Sequence, residues 1–271
     1  MPELPEVETT RRGIAPRIKG QRIKKVVVRQ PKLRWPVPKN INLRVKGQVI
    51  RDVTRRGKYL LLNTDAGTMI IHLGMSGSLR VINCKLAAEK HDHVDLILEN
   101  GQCLRLRDPR RFGAVLFTTD DPIQHKLLKD LGPEPLESDF NADYLFKKSR
   151  KRSITVKSFI MDSKIVVGVG NIYASESLFR AGIHPKKAAG KVSKEKYRLL
   201  VKAIKAVLKA AIKSGGTTLQ DFTKSDGKPG YFKQKLNVYG RKGLPCPHCG
   251  KAITHSVIGQ RATYYCTHCQ K

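Results

Sequence analysis

Val94-Asp95-Leu96-Ile97-Leu98-Glu99-Asn100-Gly101-Gln102-Cys103-Leu104-Arg105-Leu106 is the stretch from which the fold class is read. Val94, Leu96 and Leu98 alternate before Asn100-Gly101, and Leu104 and Leu106 alternate after it. An apolar period of two marks a strand with one face on a core, and Asn-Gly between two such strands predicts a hairpin with a type I′ turn. Outward from it, Arg22-Ile23-Lys24-Lys25-Val26-Val27-Val28 is a strand candidate. Tyr59 to Leu62 and Thr68 to Leu73 flank Asn63-Thr64-Asp65-Ala66-Gly67, a turn composition. Residues 22–117 therefore read as a sandwich of antiparallel sheets.

The flanks of this region are helical. Before it, Leu4, Val7, Ile14 and Ile18 fall on one helical face, interrupted by Arg11. After it, Leu131-Gly132-Pro133-Glu134-Pro135-Leu136 reads as a linker or hinge. From about 140 to 215 the period is helical. Leu199, Leu200, Ala203, Ile204, Val207, Leu208, Ala211 and Ile212 make an apolar stripe that ends at Gly215-Gly216. The opposite face carries Arg198, Lys202, Lys205, Lys209 and Lys213, which suits either solvent or phosphates. Val166 to Glu176 is glycine-rich and leads into a helix that Asn171 can cap; its amides suit a DNA phosphate. Gly168-x-Gly170 lacks the third glycine of a dinucleotide site.

Of 271 residues, 53 are Lys or Arg and 22 Asp or Glu, a net charge of +31. Such a field favours polyanions, nucleic acid above all. Four of six cysteines pair as Cys246-x2-Cys249 and Cys266-x2-Cys269, the pattern of a tetrathiolate structural Zn2+ site. His248, His255 and His268 lie nearby, but four thiolates already fill a tetrahedron. Cys84 and Cys103 read as buried small hydrophobes. Gln260-Arg261-Ala262-Thr263, between the cysteine pairs, is expected at the tip of a hairpin. Asp226-Gly227-Lys228-Pro229-Gly230-Tyr231 reads as a flexible loop. The N-terminus has no apolar signal-peptide core and no stretch reaches 18 apolar residues, so the expected compartment is cytoplasmic, associated with the nucleoid.

The first residues carry chemistry. Removal of Met1 would leave Pro2 with a secondary amine whose ordinary pKa is near 8, a usable nucleophile at neutral pH. Glu3 beside it can act as acid or base, and Glu6 lies a helical turn on. The same residues also suit an ordinary capped helix with acids in its first turn.

Taken in order, Met1 to Thr9, Gly57-Lys58-Tyr59-Leu60, His72-Leu73-Gly74-Met75-Ser76-Gly77, Asp108-Pro109-Arg110-Arg111-Phe112-Gly113, Gly168 to Tyr173, the cysteine quartet and Gln260 to Thr263 resemble the formamidopyrimidine-DNA glycosylase family over the full length. The resemblance implies an α+β chain: an N-terminal antiparallel β-sandwich with flanking helices (1–132), a helix–two-turns–helix domain (133–236) and a β-hairpin zinc finger (237–271). It implies a monomeric repair enzyme acting on damaged double-stranded DNA, without a membrane. Such an enzyme excises 8-oxoguanine and formamidopyrimidines and cuts the strand by β,δ-elimination. Pro2 would be the nucleophile and Glu3 the proton donor; Lys58 and Arg261 would serve proton donation and elimination. His91, Arg110, Arg152 and Asn171 match DNA contacts. Met75, Arg110 and Phe112 match the trio that fills the void left by a flipped base. Residues 217–231 match the lesion-recognition loop. The related endonuclease VIII branch, which prefers oxidised pyrimidines, and a non-catalytic zinc-stapled nucleic-acid binder are the alternatives; the second leaves Pro2-Glu3 unexplained.

Overall fold

The computed structural model describes residues 2–215 and 236–271. They divide into two compact units, one of residues up to Lys129, the other of Asp130–Ser214 with the C-terminal segment.

The first unit contains α1 (Leu4–Ile18), β1 (Ile23–Val28), α2 (Ile41–Val45), β2 (Asp52–Arg56), β3 (Tyr59–Thr64), β4 (Gly67–His72), β5 (Ser78–Asn83), β6 (Asp92–Leu98), β7 (Gln102–Arg107) and β8 (Ala114–Thr118). The strands form two four-stranded sheets, β1-β6-β7-β5 and β2-β3-β4-β8. All their pairings are antiparallel. Leu60, Leu62 and Ile71 of one sheet share a core with Val81, Val94, Leu96, Leu104 and Leu106 of the other. Val7, Ile14 and Ile18 of α1 join them. The sandwich read from the alternation is thus present.

The turn type is not the one expected. The β6–β7 register pairs Leu96 with Leu104 and Ile97 with Cys103, which leaves residues 99–101 as the loop. A type I′ turn needs positive φ at both central residues. Here Gly101 has φ 79° and Asn100 does not join it. A three-residue loop closed by a left-handed glycine replaces the two-residue turn, and the odd loop keeps the leucines of both strands on one face. The outer face is buried as well. Arg105 Nε donates to Asp95 Oδ1 at 2.9 Å and its Nη2 to Oδ2 at 2.9 Å, while Arg29 donates to Oδ2 at 2.6 Å. Arg105 also donates to the Leu86 and Ala87 carbonyls, so that segment covers the sheet. Cys103 is buried, and burial pushes its thiol up to about 12. Cys84 is only half-buried, because it lies just past the end of β5.

The second unit contains α3 (Ala142–Ser149), α4 (Val156–Met161), α5 (Asn171–Ala181), α6 (Lys194–Lys213), β9 (Thr254–Ile258) and β10 (Arg261–Tyr265). Ser193 caps α6, its hydroxyl accepting from the Lys196 amide at 3.2 Å. Leu200, Ala203, Ile204, Leu208 and Ala211 are buried along the stripe, but Leu199 is 43% exposed and lies off it. The stretch from Leu131 to Leu136 is no free linker. The Gly132 amide donates to the Ser163 carbonyl at 2.8 Å, and a Cβ on Gly132 would stand 2.7 Å from the Ile165 carbonyl carbon. On α5 the buried Glu176 carboxylate accepts from the amides of Asn237, Val238 and Tyr239 and from the Asn237 side chain, at 2.9 to 3.0 Å. That single acid fixes the entry of the C-terminal segment. Among the described residues no helix is long and apolar enough to cross a membrane.

Candidate active site and nucleic-acid interface

Chain ends usually fray, but here Pro2 and Glu3 are buried, Glu3 to 2% exposure. Glu3 is the N-cap of α1, and its amide donates to Glu6 Oε2 at 2.8 Å. Leu4, fully buried, anchors the first turn behind them. The next acid along, Glu8, meets Arg11, Arg12 and Arg55 at 2.8 to 3.1 Å. Burial pushes its carboxyl up, but these hydrogen bonds and charges outweigh it and hold the pKa at about 2.

Lys58 occupies, with Gly57 (φ 57°), the two-residue loop between β2 and β3. Behind it Tyr59 stacks on His72 with centroids 4.8 Å apart. Burial first, then the charges of Lys58 and Arg34, hold His72 at about 4, so the ring is neutral at working pH. Its Nδ1 accepts from the Gly74 amide at 3.0 Å.

Met75, Arg110 and Phe112 come together through topology. Residues 73–77 cross from β4 to β5, and residues 108–113 from β7 to β8. β4 pairs with β8 at His72–Ala114, and β5 pairs with β7 at Ser78–Arg107. Two crossovers that share both ends must run side by side. They touch backbone to backbone: a Cβ on Gly74, whose φ is 64°, would stand 2.4 Å from the Phe112 carbonyl carbon. Phe112 is 42% exposed, which removes it from the core, and the Arg110 guanidinium lies 5.1 Å from its ring centroid. Met75 is half-buried. His91, half-buried just before β6, accepts at its carbonyl from the Asp108 amide at 3.0 Å.

In the second unit Asn171 departs from its expected place. Gly170 is the N-cap of α5 and Asn171 is its first helical residue. Its side chain is occupied elsewhere: Nδ2 donates to the Ala262 carbonyl at 2.9 Å, beside Arg261, and Oδ1 accepts from Lys157. Lys157 is 1% exposed and also donates to Thr263 Oγ1 at 2.7 Å. A buried lysine whose ammonium reaches these acceptors locks α4, α5 and the β9–β10 hairpin together. Nothing in its neighbourhood in sequence distinguishes it from the chain's many solvated lysines. Arg152, exposed between α3 and α4, donates to the Lys148 carbonyl at 3.0 Å. Arg261 is exposed at the shoulder of the hairpin, whose two loop residues, Gly259 and Gln260, have φ 54° and 58°. Positive φ at both loop residues, as a type I′ turn requires, is thus met here and not at Asn100-Gly101, where Gly101 alone has it.

The Sγ atoms of Cys246, Cys249, Cys266 and Cys269 all lie within 4.8 Å of one another. Those of Cys246 and Cys269 are 3.8 Å apart and those of Cys249 and Cys266 3.5 Å. A tetrahedron with Zn–S bonds of about 2.3 Å has sulfur edges of about 3.8 Å, so the quartet fits zinc. Among the described residues no histidine joins the cluster, and His248 stacks on Phe179 instead, centroids 4.6 Å apart.

Three family models match in succession. The formamidopyrimidine-DNA glycosylase N-terminal domain covers residues 1–115, the H2TH domain of the same enzymes residues 131–223, and the zinc finger found in FPG and IleRS residues 243–271. The chain belongs to the formamidopyrimidine-DNA glycosylase family. A member from Photobacterium profundum is 59% identical over 271 residues, all of both chains. Among solved structures, the MutM (FPG) protein of Thermus thermophilus is 39% identical with a TM-score of 0.89, covering 99% of this chain and 98% of that one. A variant of the Lactococcus lactis family member, bound to DNA containing Fapy-dG, is 33% identical with a TM-score of 0.92 over all of both chains. As a family member this chain is an enzyme, a DNA glycosylase of base excision repair, and its cysteine quartet holds one structural zinc. The expected lesion-recognition loop, 217–231, lies outside the described residues.

Proposed function

We propose that this chain removes oxidised purines, 8-oxoguanine and formamidopyrimidines, from duplex DNA and then cleaves the strand as an AP lyase. The observation that carries the reading is the burial of Pro2 and Glu3 at the start of α1, where a chain end is ordinarily loose. With Met1 removed, the Pro2 nitrogen attacks C1′ of the damaged nucleotide and the glycosidic bond breaks, its electron pair leaving with the base. Glu3 protonates the sugar ring oxygen, the ring opens, and a Pro2 iminium remains. The iminium acidifies C2′; loss of that proton expels the 3′ phosphate, and a second elimination expels the 5′ phosphate. Lys58 and Arg261 are cations suited to developing phosphate charge.

Residues 1–132 would supply the chemistry. The helical region, 133–236, and the finger, 237–271, would grip phosphates through Arg152, Arg261 and the main-chain amide of Asn171 at the start of α5. His91 would add a contact, and Met75, Arg110 and Phe112 would fill the space the flipped base leaves, Arg110 facing the orphaned cytosine. The enzyme would act as a monomer in the cytoplasm, drawn to DNA by its charge of +31.

Borohydride trapping on a duplex with 8-oxoguanine opposite cytosine, followed by mass mapping, tests this. The expected adduct is on Pro2, with Met1 absent, and Pro2→Gly should lower base removal by a factor of about 100 or more. An adduct formed only with a thymine glycol duplex would move the substrate to oxidised pyrimidines. Absence of any adduct from protein with a free Pro2 would reject the nucleophile.

A further inference from the structure

Asp108 is fully buried at the point where β7 ends, and its polar atoms are divided among three segments. Oδ1 accepts from Ser76 Oγ at 3.0 Å, and Oδ2 from the Gly113 amide at 2.7 Å. Its main-chain oxygen accepts from the Arg111 amide at 3.1 Å and lies 2.8 Å from His93 Nε2. Its own amide donates to the His91 carbonyl at 3.0 Å. Ser76 Oγ in turn accepts from the Arg110 amide at 3.3 Å. Arg111 sits at φ 57°, a left-handed conformation that a non-glycine residue keeps only where its surroundings enforce it. The bond to Asp108 closes that turn. A carboxylate is acceptor-only, with lone pairs for donors on two sides. Buried, it is tolerated only when hydrogen-bonded. Both conditions are met here by the two crossovers that carry Met75, Arg110 and Phe112, while the strand that follows His91 meets the main-chain oxygen.

We propose that Asp108, acting through Ser76, is the positioning residue for duplex insertion. It holds the bases of the two crossovers in one arrangement, so that the exposed tips of Arg110 and Phe112 enter the helix beside Met75 without first being ordered. Preorganisation of this kind lowers the cost of binding, and a displacement of about 1 Å in such a site can reduce a rate by as much as 10²-fold. The inference rests on the void-filling reading of that trio.

The test uses full-length zinc-loaded protein. Asp108→Asn keeps an acceptor for Ser76 but turns an NH2 toward the Gly113 amide, two donors facing each other. Ser76→Ala removes the hydroxyl that joins the two, the donor to Asp108 Oδ1 and the acceptor of the Arg110 amide, and leaves the Gly113 bond in place. Single-turnover excision of 8-oxoguanine from duplex is measured with cytosine and with adenine opposite, alongside strand cleavage at an abasic site in single-stranded DNA, which has no opposite base and no void. For Asp108→Asn, duplex excision should fall about tenfold or more and the preference for cytosine should shrink toward that of Arg110→Ala. Single-strand cleavage should change less than about twofold, and Ser76→Ala should move in the same direction by a smaller factor. Equal losses on both DNAs, or duplex excision at the wild-type rate, would overturn the assignment. If Asp108→Asn fails to fold, an unchanged opposite-base preference in Ser76→Ala overturns it. Wild-type duplex excision by Met75→Ala and Arg110→Ala would instead reject the void-filling reading itself.

Discussion

The two arginines proposed to touch DNA in or beside tight loops, Arg110 and Arg261, are held by opposite means. Arg110 stands on a loop between sheets whose shared core runs from Val7 to Val115, with the buried Asp108 beneath it. Arg261 stands on a two-stranded hairpin whose own cluster is small: Phe179, Val238, Cys246, Ile253 and Cys266. Two of those five are zinc ligands. A segment of this size cannot bury enough apolar surface to fold alone, so the metal supplies what the core cannot. The lesson is that one function can be carried by hydrophobic packing in one region and by coordination in another, and the two should fail under different insults.

The largest contrast should come from chelation. Structural zinc contributes on the order of 10 kcal/mol to folding such a finger. Stripping the metal should therefore release Arg261 and reduce lesion-duplex affinity by a factor of about 100 or more, while the far-ultraviolet signal of the sheets persists. Loss of the whole β-signal on chelation would mean that the sandwich, too, depends on the metal. The converse insult is Leu104→Ala, in a residue 2% exposed at the centre of the sandwich. It should cost about 2–5 kcal/mol in thermal or urea unfolding, with zinc content unchanged.

A smaller effect is expected from acid. His72 titrates at about 4 in the folded chain, below the ordinary imidazole value, because burial and the Lys58 and Arg34 charges oppose its protonation. The unfolded chain takes up that proton first, so the contribution is complete above about pH 6.5 and is lost as the pH falls toward 4. It amounts to about 2 kcal/mol at most once partial solvent access is allowed for. His72→Gln should flatten the melting temperature between pH 6.5 and 4.5 without altering zinc affinity. An unchanged slope would remove His72 as the titrating group.

Much of the fold is legible in the sequence because its signals are local. The alternation from Val94 to Leu106 needs only the pleat of a strand, and the cysteine spacing needs only the reach of a tetrahedral ion. The turn at 99–101 departs from the expected type because Asn-Gly suits several loop lengths, and the register that chose three residues is set by pairing far along the strands. Asn171 reads as the cap of α5, but Gly170 caps and the Asn171 amide serves Ala262 and Lys157, from other parts of the chain. Lys157 itself gives no local signal, since a buried lysine differs from a solvated one only in its neighbours.

The sandwich, the helical region, the zinc quartet and the candidates at Pro2 and Glu3 follow from short-range spacing and residue chemistry. That residues 73–77 and 108–113 run side by side, joined by one buried carboxylate, is visible only in the folded chain. So is the tie that Lys157 makes among three elements. Those relations arise from strand pairing and burial between segments up to 106 residues apart, and no local pattern encodes which distant partner a side chain meets.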